Sequence, residues 1–135
     1  MPIKTWPLQL LPLLASLALP AFATPSTTPA ALLAGYQAQS GKPADAERGR
    51  QLFVTRQGGE WSCASCHQNP PTTAGRHAGT GKAIEPLAPA FNPRRFSDEA
   101  KVEKWFRRNC KDVMERECTP GEKADVLAWL ITLKP

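Results

Sequence analysis

The sequence predicts an all-α domain, and three observations carry that prediction. Apolar residues recur at helical spacing in several segments. Those segments open on residues that cap helices and close on Gly or Pro. No strand-like alternation persists, so no sheet is expected.

The N-terminus of this 135-residue chain reads as a secretory signal. Lys4 supplies the positive start, and Leu8 to Leu19 an apolar stretch interrupted by Pro12. Ala21-Phe22-Ala23 supplies an A-x-A cleavage site. Cleavage after Ala23 leaves residues 24–135, a length that suits one domain. The apolar run is too short and too Pro-broken for a comfortable membrane anchor. Export predicts an oxidising compartment, here the periplasm.

The first helix starts at Thr28-Pro29, an N-cap followed by a first-turn proline. Leu32, Leu33 and Tyr36 repeat at helical spacing, and Gly41-Lys42-Pro43 ends the segment. A second helix runs from about Ala44 to Arg56, with Ala46, Gly49, Leu52 and Phe53 along one side. A mid-helix glycine costs about 1 kcal/mol, so Gly49 predicts a close helix crossing. Gly58-Gly59 breaks the chain before the next motif. Gln68 to Pro93 is rich in Pro and Gly and reads as loop. A loop this long needs something to wrap around.

Ser97 is read as the cap of a third helix, with Asp98 and Glu99 in its first turn. Val102, Trp105, Phe106 and Asn109 share one face; Lys101, Lys104 and Arg108 take another. Thr119-Pro120-Gly121-Glu122 opens the last helix with an N-cap, a proline at N1 and a capping-box glutamate. Val126, Leu127, Trp129, Leu130, Ile131 and Leu133 make that helix apolar on most sides, so it should be buried.

What the long loop wraps is named by Cys63-Ala64-Ser65-Cys66-His67, the CxxCH attachment signature of a c-type haem. On one helical turn, positions i, i+3 and i+4 share a face. Cys63 and Cys66 can then form thioethers at the porphyrin edge while His67 becomes the proximal iron ligand. A structural zinc site would need a second closely spaced pair. Cys110 and Cys118 enclose seven residues and do not supply one. A thioredoxin-like CxxC would need a βαβ context, which is missing. In an exported chain Cys110 and Cys118 are expected to pair with each other.

The net charge is +5. Basic residues are scattered apart from Arg94-Arg95 and Arg107-Arg108, and no nucleic-acid motif is visible. Propionate pairing and docking to an acidic redox partner are the expected uses of that charge, beside a plain solvated face.

Three residues compete for the sixth iron position. Met114, the only methionine besides the start, offers the thioether usual in electron carriers. His77 offers a second imidazole from a Gly-rich loop. Asn109 is a polar residue on an otherwise apolar helix face, where a buried amide needs a partner. Its other common use would be as a helix C-terminal cap. No evident distal acid–base pair speaks for a peroxidase, so no catalytic residue is assigned and an enzyme is not expected.

CxxCH after a Gly49-containing helix, with a terminal Leu127-Ala128-Trp129-Leu130, resembles class I cytochrome c. A closer resemblance is to the SHP group, the "sphaeroides haem protein" cytochromes. It is carried by Leu33-Ala34-Gly35-Tyr36, Pro43-Ala44-Asp45-Ala46-Glu47-Arg48-Gly49-Arg50, Gly81-Lys82 and Pro86-Leu87-Ala88-Pro89. It continues through Val102-Glu103-Lys104-Trp105, Arg108-Asn109-Cys110 and Cys118-Thr119-Pro120-Gly121-Glu122-Lys123-Ala124-Asp125. The resemblance implies class I cytochrome c-like helices wrapped around one covalently attached haem c. It implies His67 as proximal ligand, a Cys110–Cys118 disulfide, and Asn109 as a sixth ligand that leaves on reduction. It further implies binding of oxygen or nitric oxide, and electron exchange with a dihaem cytochrome c and a membrane cytochrome b. His77 has no place in that pattern.

Overall fold

The structure is a computed structural model that describes residues 1–3 and 26–135. The signal segment and its Ala21–Ala23 cleavage site fall almost wholly outside the described residues.

Among the described residues five helices form where capping residues and apolar spacing agree. α1 (Pro29–Ser40) is capped by Thr28, whose hydroxyl accepts from the Ala31 N–H at 3.1 Å, and it ends at Gly41 in the left-handed region. α2 (Ala46–Val54) is shorter than expected at both ends. Asp45 takes the N-cap in extended conformation, its carboxylate accepting from the Arg48 N–H at 2.8 Å. Ala44 is thereby left outside, and Thr55 is extended again. α3 (Cys63–His67) is a single turn boxed by Ser62 and Ser65.

α4 (Glu99–Met114) starts one residue later than expected. Asp98 rather than Ser97 is its cap, because the Ser97 hydroxyl donates to the Arg94 carbonyl and its own carbonyl receives the Thr27 N–H. α5 (Pro120–Thr132) carries the expected capping box between Thr119 and Glu122. It buries Ala124, Asp125, Val126, Leu127, Trp129 and Leu130. No helix among the described residues is long and apolar enough to cross a membrane.

The expectation of no sheet needs a small correction. β1 (Gly75–Arg76) and β2 (Ala83–Ile84) pair antiparallel, with Gly75 opposite Ile84 and Arg76 opposite Ala83. Strands of two residues are too short to show alternation, so they leave no periodic signal. Residues 77–82 connect them, and the His77 N–H donates to the Lys82 carbonyl at 2.8 Å.

α5 packs against both α1 and α2. A Cβ on Gly49 would lie 1.9 Å from the Asp125 carbonyl oxygen, so the α2–α5 crossing requires glycine. The same junction holds a buried carboxylate. Asp125, 4% exposed, accepts the Asp45 N–H at 2.8 Å and two guanidinium N–H groups of Arg48, the Nη2 bond at 2.6 Å. A buried charge is tolerated only with such partners. The main core gathers Leu32, Tyr36, Phe53, Phe96, Val102, Leu127, Trp129 and Leu130.

Candidate functional site

α3 places Cys63, Cys66 and His67 on one turn, between the C-terminal end of α2 and the Pro- and Gly-rich loop. Phe53 of α2 stands behind His67, ring centroids 6.3 Å apart, and is itself backed by Trp129 of α5 at 4.9 Å. Gly75 presses on the other side: a Cβ there would meet the Cys66 carbonyl oxygen at 2.0 Å. The Gln68–Pro93 segment therefore folds directly onto α3. The Ala78 N–H points at the Cys66 sulfur, 3.2 Å away.

The donor chemistry fits a covalently attached haem. Cys63 and Cys66 are free thiols and half-buried. Burial pushes the Cys63 thiol up to about 11, so it is protonated at neutral pH. Burial, then the positive charge of Arg95, pushes His67 down to about 4. Its imidazole is then neutral, the form that ligates metals. The buried Nδ1 of His67 has no hydrogen-bond partner among the described residues. Buried polar atoms are normally satisfied, so an unpartnered imidazole nitrogen marks a histidine whose site is incomplete without a ligand. Two thiols and one neutral, unpartnered imidazole on a single turn are what CxxCH haem attachment needs.

The three competing residues land in different settings. His77 is committed to the turn between β1 and β2. Its Nδ1 accepts the N–H groups of Gly79 and Thr80, both at 3.2 Å, and its backbone pairs with Lys82 and Gly81. Met114 is 7% exposed, the last residue of α4. Its sulfur lies 3.3 Å from the Cys118 sulfur. Cys110 and Cys118 form a disulfide, so that contact is sulfur against sulfur without a proton between them. Asn109 is half-buried in the body of α4, which runs five residues further to Met114. It is therefore no C-terminal cap; Glu115, at φ 58°, has that role. α4 approaches the CxxCH turn through a second apolar cluster: Trp61, Cys63, Phe106 and Cys118 pack on buried Cys110, Val113 and Met114.

Two further polar side chains left little trace in the sequence. Arg95 is half-buried, donating from Nε to the Pro86 carbonyl at 2.9 Å and from Nη2 to the Glu85 carbonyl at 2.8 Å. Only its place in the Arg94-Arg95 pair marked it. Glu103 binds Tyr36 and Lys123 from two other helices, and no local spacing could have indicated that.

Residues 39–130 match the family described as a domain of unknown function, DUF1924. The chain is 57% identical over 108 residues to the cytochrome c-type protein SHP of Cereibacter sphaeroides, covering 77% of this chain and 83% of that protein. It is 48% identical over 80 residues to cytochrome c'' of Methylophilus methylotrophus, covering 59% of this chain and 56% of that one. Among solved structures it is similar to oxidised SHP, described as an oxygen-binding cytochrome c. That match has a TM-score of 0.76 and 56% identity, over 81% of this chain and all of the other. It is also similar to oxidised cytochrome c'' of M. methylotrophus, with a TM-score of 0.67 and 37% identity, over 79% and 95% of the two chains. The CxxCH turn, the helices around it and these likenesses agree: the chain belongs to the SHP family of class I c-type cytochromes and carries a covalently attached haem c.

Proposed function

We propose that this cytochrome is exported to the periplasm, passes electrons, and binds a diatomic ligand at a sixth haem position opened by reduction. In this reading residues 1–23 are a cleaved leader and residues 24–135 the working domain. Cys63 and Cys66 hold the haem, His67 is the proximal ligand and Asn109 the sixth. When bound, the haem supplies one-electron chemistry and an iron that can accept a small ligand.

The observation that carries the assignment is the contrast along α4. Met114 is buried with its sulfur against the disulfide, while Asn109 sits mid-helix on the Val102–Trp105–Phe106 face, with no capping duty. An asparagine carbonyl is a hard, neutral oxygen donor. Oxygen donors suit ferric iron better than ferrous iron. Asn109 would therefore hold ferric iron more firmly than ferrous iron, and its amide N–H₂ would be available to donate a hydrogen bond to a diatomic ligand, oxygen or nitric oxide. The Cys110–Cys118 disulfide directly after Asn109 restrains the end of α4. Exposed Lys101, Lys104 and Arg108 give α4 a basic outer face that suits an acidic redox partner, of which a dihaem cytochrome c and a membrane cytochrome b are the candidate classes.

Carbon monoxide tests the gating. Anaerobically reduced protein should bind it promptly. A ferrous protein that refuses carbon monoxide, as one closed in both states would, refutes the proposal.

A further inference from the structure

Glu103, early in α4, is held from two other helices. The Tyr36 hydroxyl of α1 donates to its Oε1 at 2.5 Å, and the Lys123 ammonium of α5 donates to its Oε2 at 2.6 Å. Tyr36 is 3% exposed, and the Lys123 side chain 16%. The Lys123 ammonium also stands over the rings of Tyr36 and Phe106, 5.4 and 5.8 Å from their centroids. Those two rings meet edge to face at 6.0 Å. Charge-assisted bonds of this kind are shorter and stronger than neutral ones. Burial and the adjacent carboxylate hold the Tyr36 hydroxyl protonated far above its ordinary range, so it stays a donor.

α4 needs such a clamp. The extensive helix pairings among the described residues are α2 with α5 and α1 with α5. α4 is attached instead by side chains, by the Thr27–Ser97 bond ahead of its start and by the disulfide near its end. Phe106, part of the clamp, packs on the same buried Cys110, Val113 and Met114 as Cys63 of the haem-attachment turn. Asn109 follows one turn later.

We infer that Glu103 is a positioning residue: by tying α4 to α1 and α5 it sets how readily Asn109 reaches the iron. The inference rests on Asn109 being the sixth ligand, and the test separates the two. Full-length protein matured with haem is compared as Glu103→Ala, Glu103→Gln, Tyr36→Phe and Asn109→Ala. Each is read by the ratio of Asn109-bound to unbound ferric haem, taken from the optical spectrum with Asn109→Ala as the unbound reference, and, separately, by urea unfolding. Glu103→Ala should lower that ratio about tenfold, within the usual range for coupling between sites. Tyr36→Phe should move it less in the same direction, and Glu103→Gln, which keeps an acceptor for Tyr36, should restore most of it. Asn109→Ala should give a ferric spectrum distinct from the parent's. If Asn109→Ala acts while Glu103→Ala and Tyr36→Phe leave the ratio untouched, the clamp is overturned alone, even if unfolding shifts. If Glu103→Ala does not fold, an unchanged ratio in Tyr36→Phe overturns it. If Asn109→Ala changes nothing, the ligand assignment fails and the clamp's role with it.

Discussion

An alanine at Gly49 would place its Cβ 1.9 Å from the Asp125 carbonyl oxygen, 2.2 Å from the carbonyl carbon and 2.7 Å from the Val126 nitrogen. Non-bonded heavy atoms rest at about 3.5 Å, so α2 and α5 must separate by about 1.5 Å. Alanine itself favours the helix by about 1 kcal/mol. Against that stands an overpacking cost of about 1–3 kcal/mol, at the high end because the obstacle is backbone and cannot swing aside. Separation also stretches the Asp45 N–H bond to the buried Asp125 carboxylate, now 2.8 Å. Hydrogen bonds to charged groups contribute about 1.5–3 kcal/mol. The balance is a net destabilisation of about 4 kcal/mol. With a urea slope of about 2 kcal/mol per molar, the midpoint of the haem-loaded protein should fall by about 2 M. A midpoint equal to the parent's at unchanged slope would mean that the helices do not cross at Gly49.

Replacing Cys110 and Cys118 together by serine should cost about 2.5 kcal/mol in the same melts, from the loop closure they provide. No loss of stability would show that the bridge constrains nothing. Acid should act through Glu103. Burial alone would raise its carboxyl, but the bonds from Lys123 and Tyr36 outweigh burial and hold it below its ordinary range. Its contribution is therefore complete above the unfolded carboxylate value and is lost as pH falls through the lower folded value. Glu103→Gln should flatten that part of the acid limb; parallel limbs for parent and variant would contradict the assignment.

Much of this architecture was legible because local chemistry and tertiary context agree. Thr28-Pro29 and the Thr119–Glu122 box start α1 and α5 where capping rules place them. Gly49 announced its crossing because glycine in mid-helix needs a reason. The α4 start was off by one because Ser97 and Asp98 can both cap, and the choice rests on a bond from distant Thr27. The β1–β2 ladder and the role of His77 were invisible. Two-residue strands have no period, and His77 is committed by turn geometry rather than by neighbours in sequence. The Tyr36–Glu103–Lys123 clamp joins positions 67 and 20 residues apart and carries no local signal. At the haem, CxxCH was readable from spacing alone. Asn109 was less legible: periodicity put it on the Val102–Phe106 face but left capping open, a use that the continuation of α4 to Met114 excludes.

The central claim is that Asn109, not Met114, ligates ferric iron. The near-infrared spectrum of the oxidised protein, recorded beside Asn109→Ala and Met114→Leu, tests it most directly. The account predicts no methionine-to-iron band in the parent, an altered ferric spectrum in Asn109→Ala, and a parent-like spectrum in Met114→Leu. A methionine band in the parent that disappears in Met114→Leu while Asn109→Ala keeps the parent spectrum would contradict it.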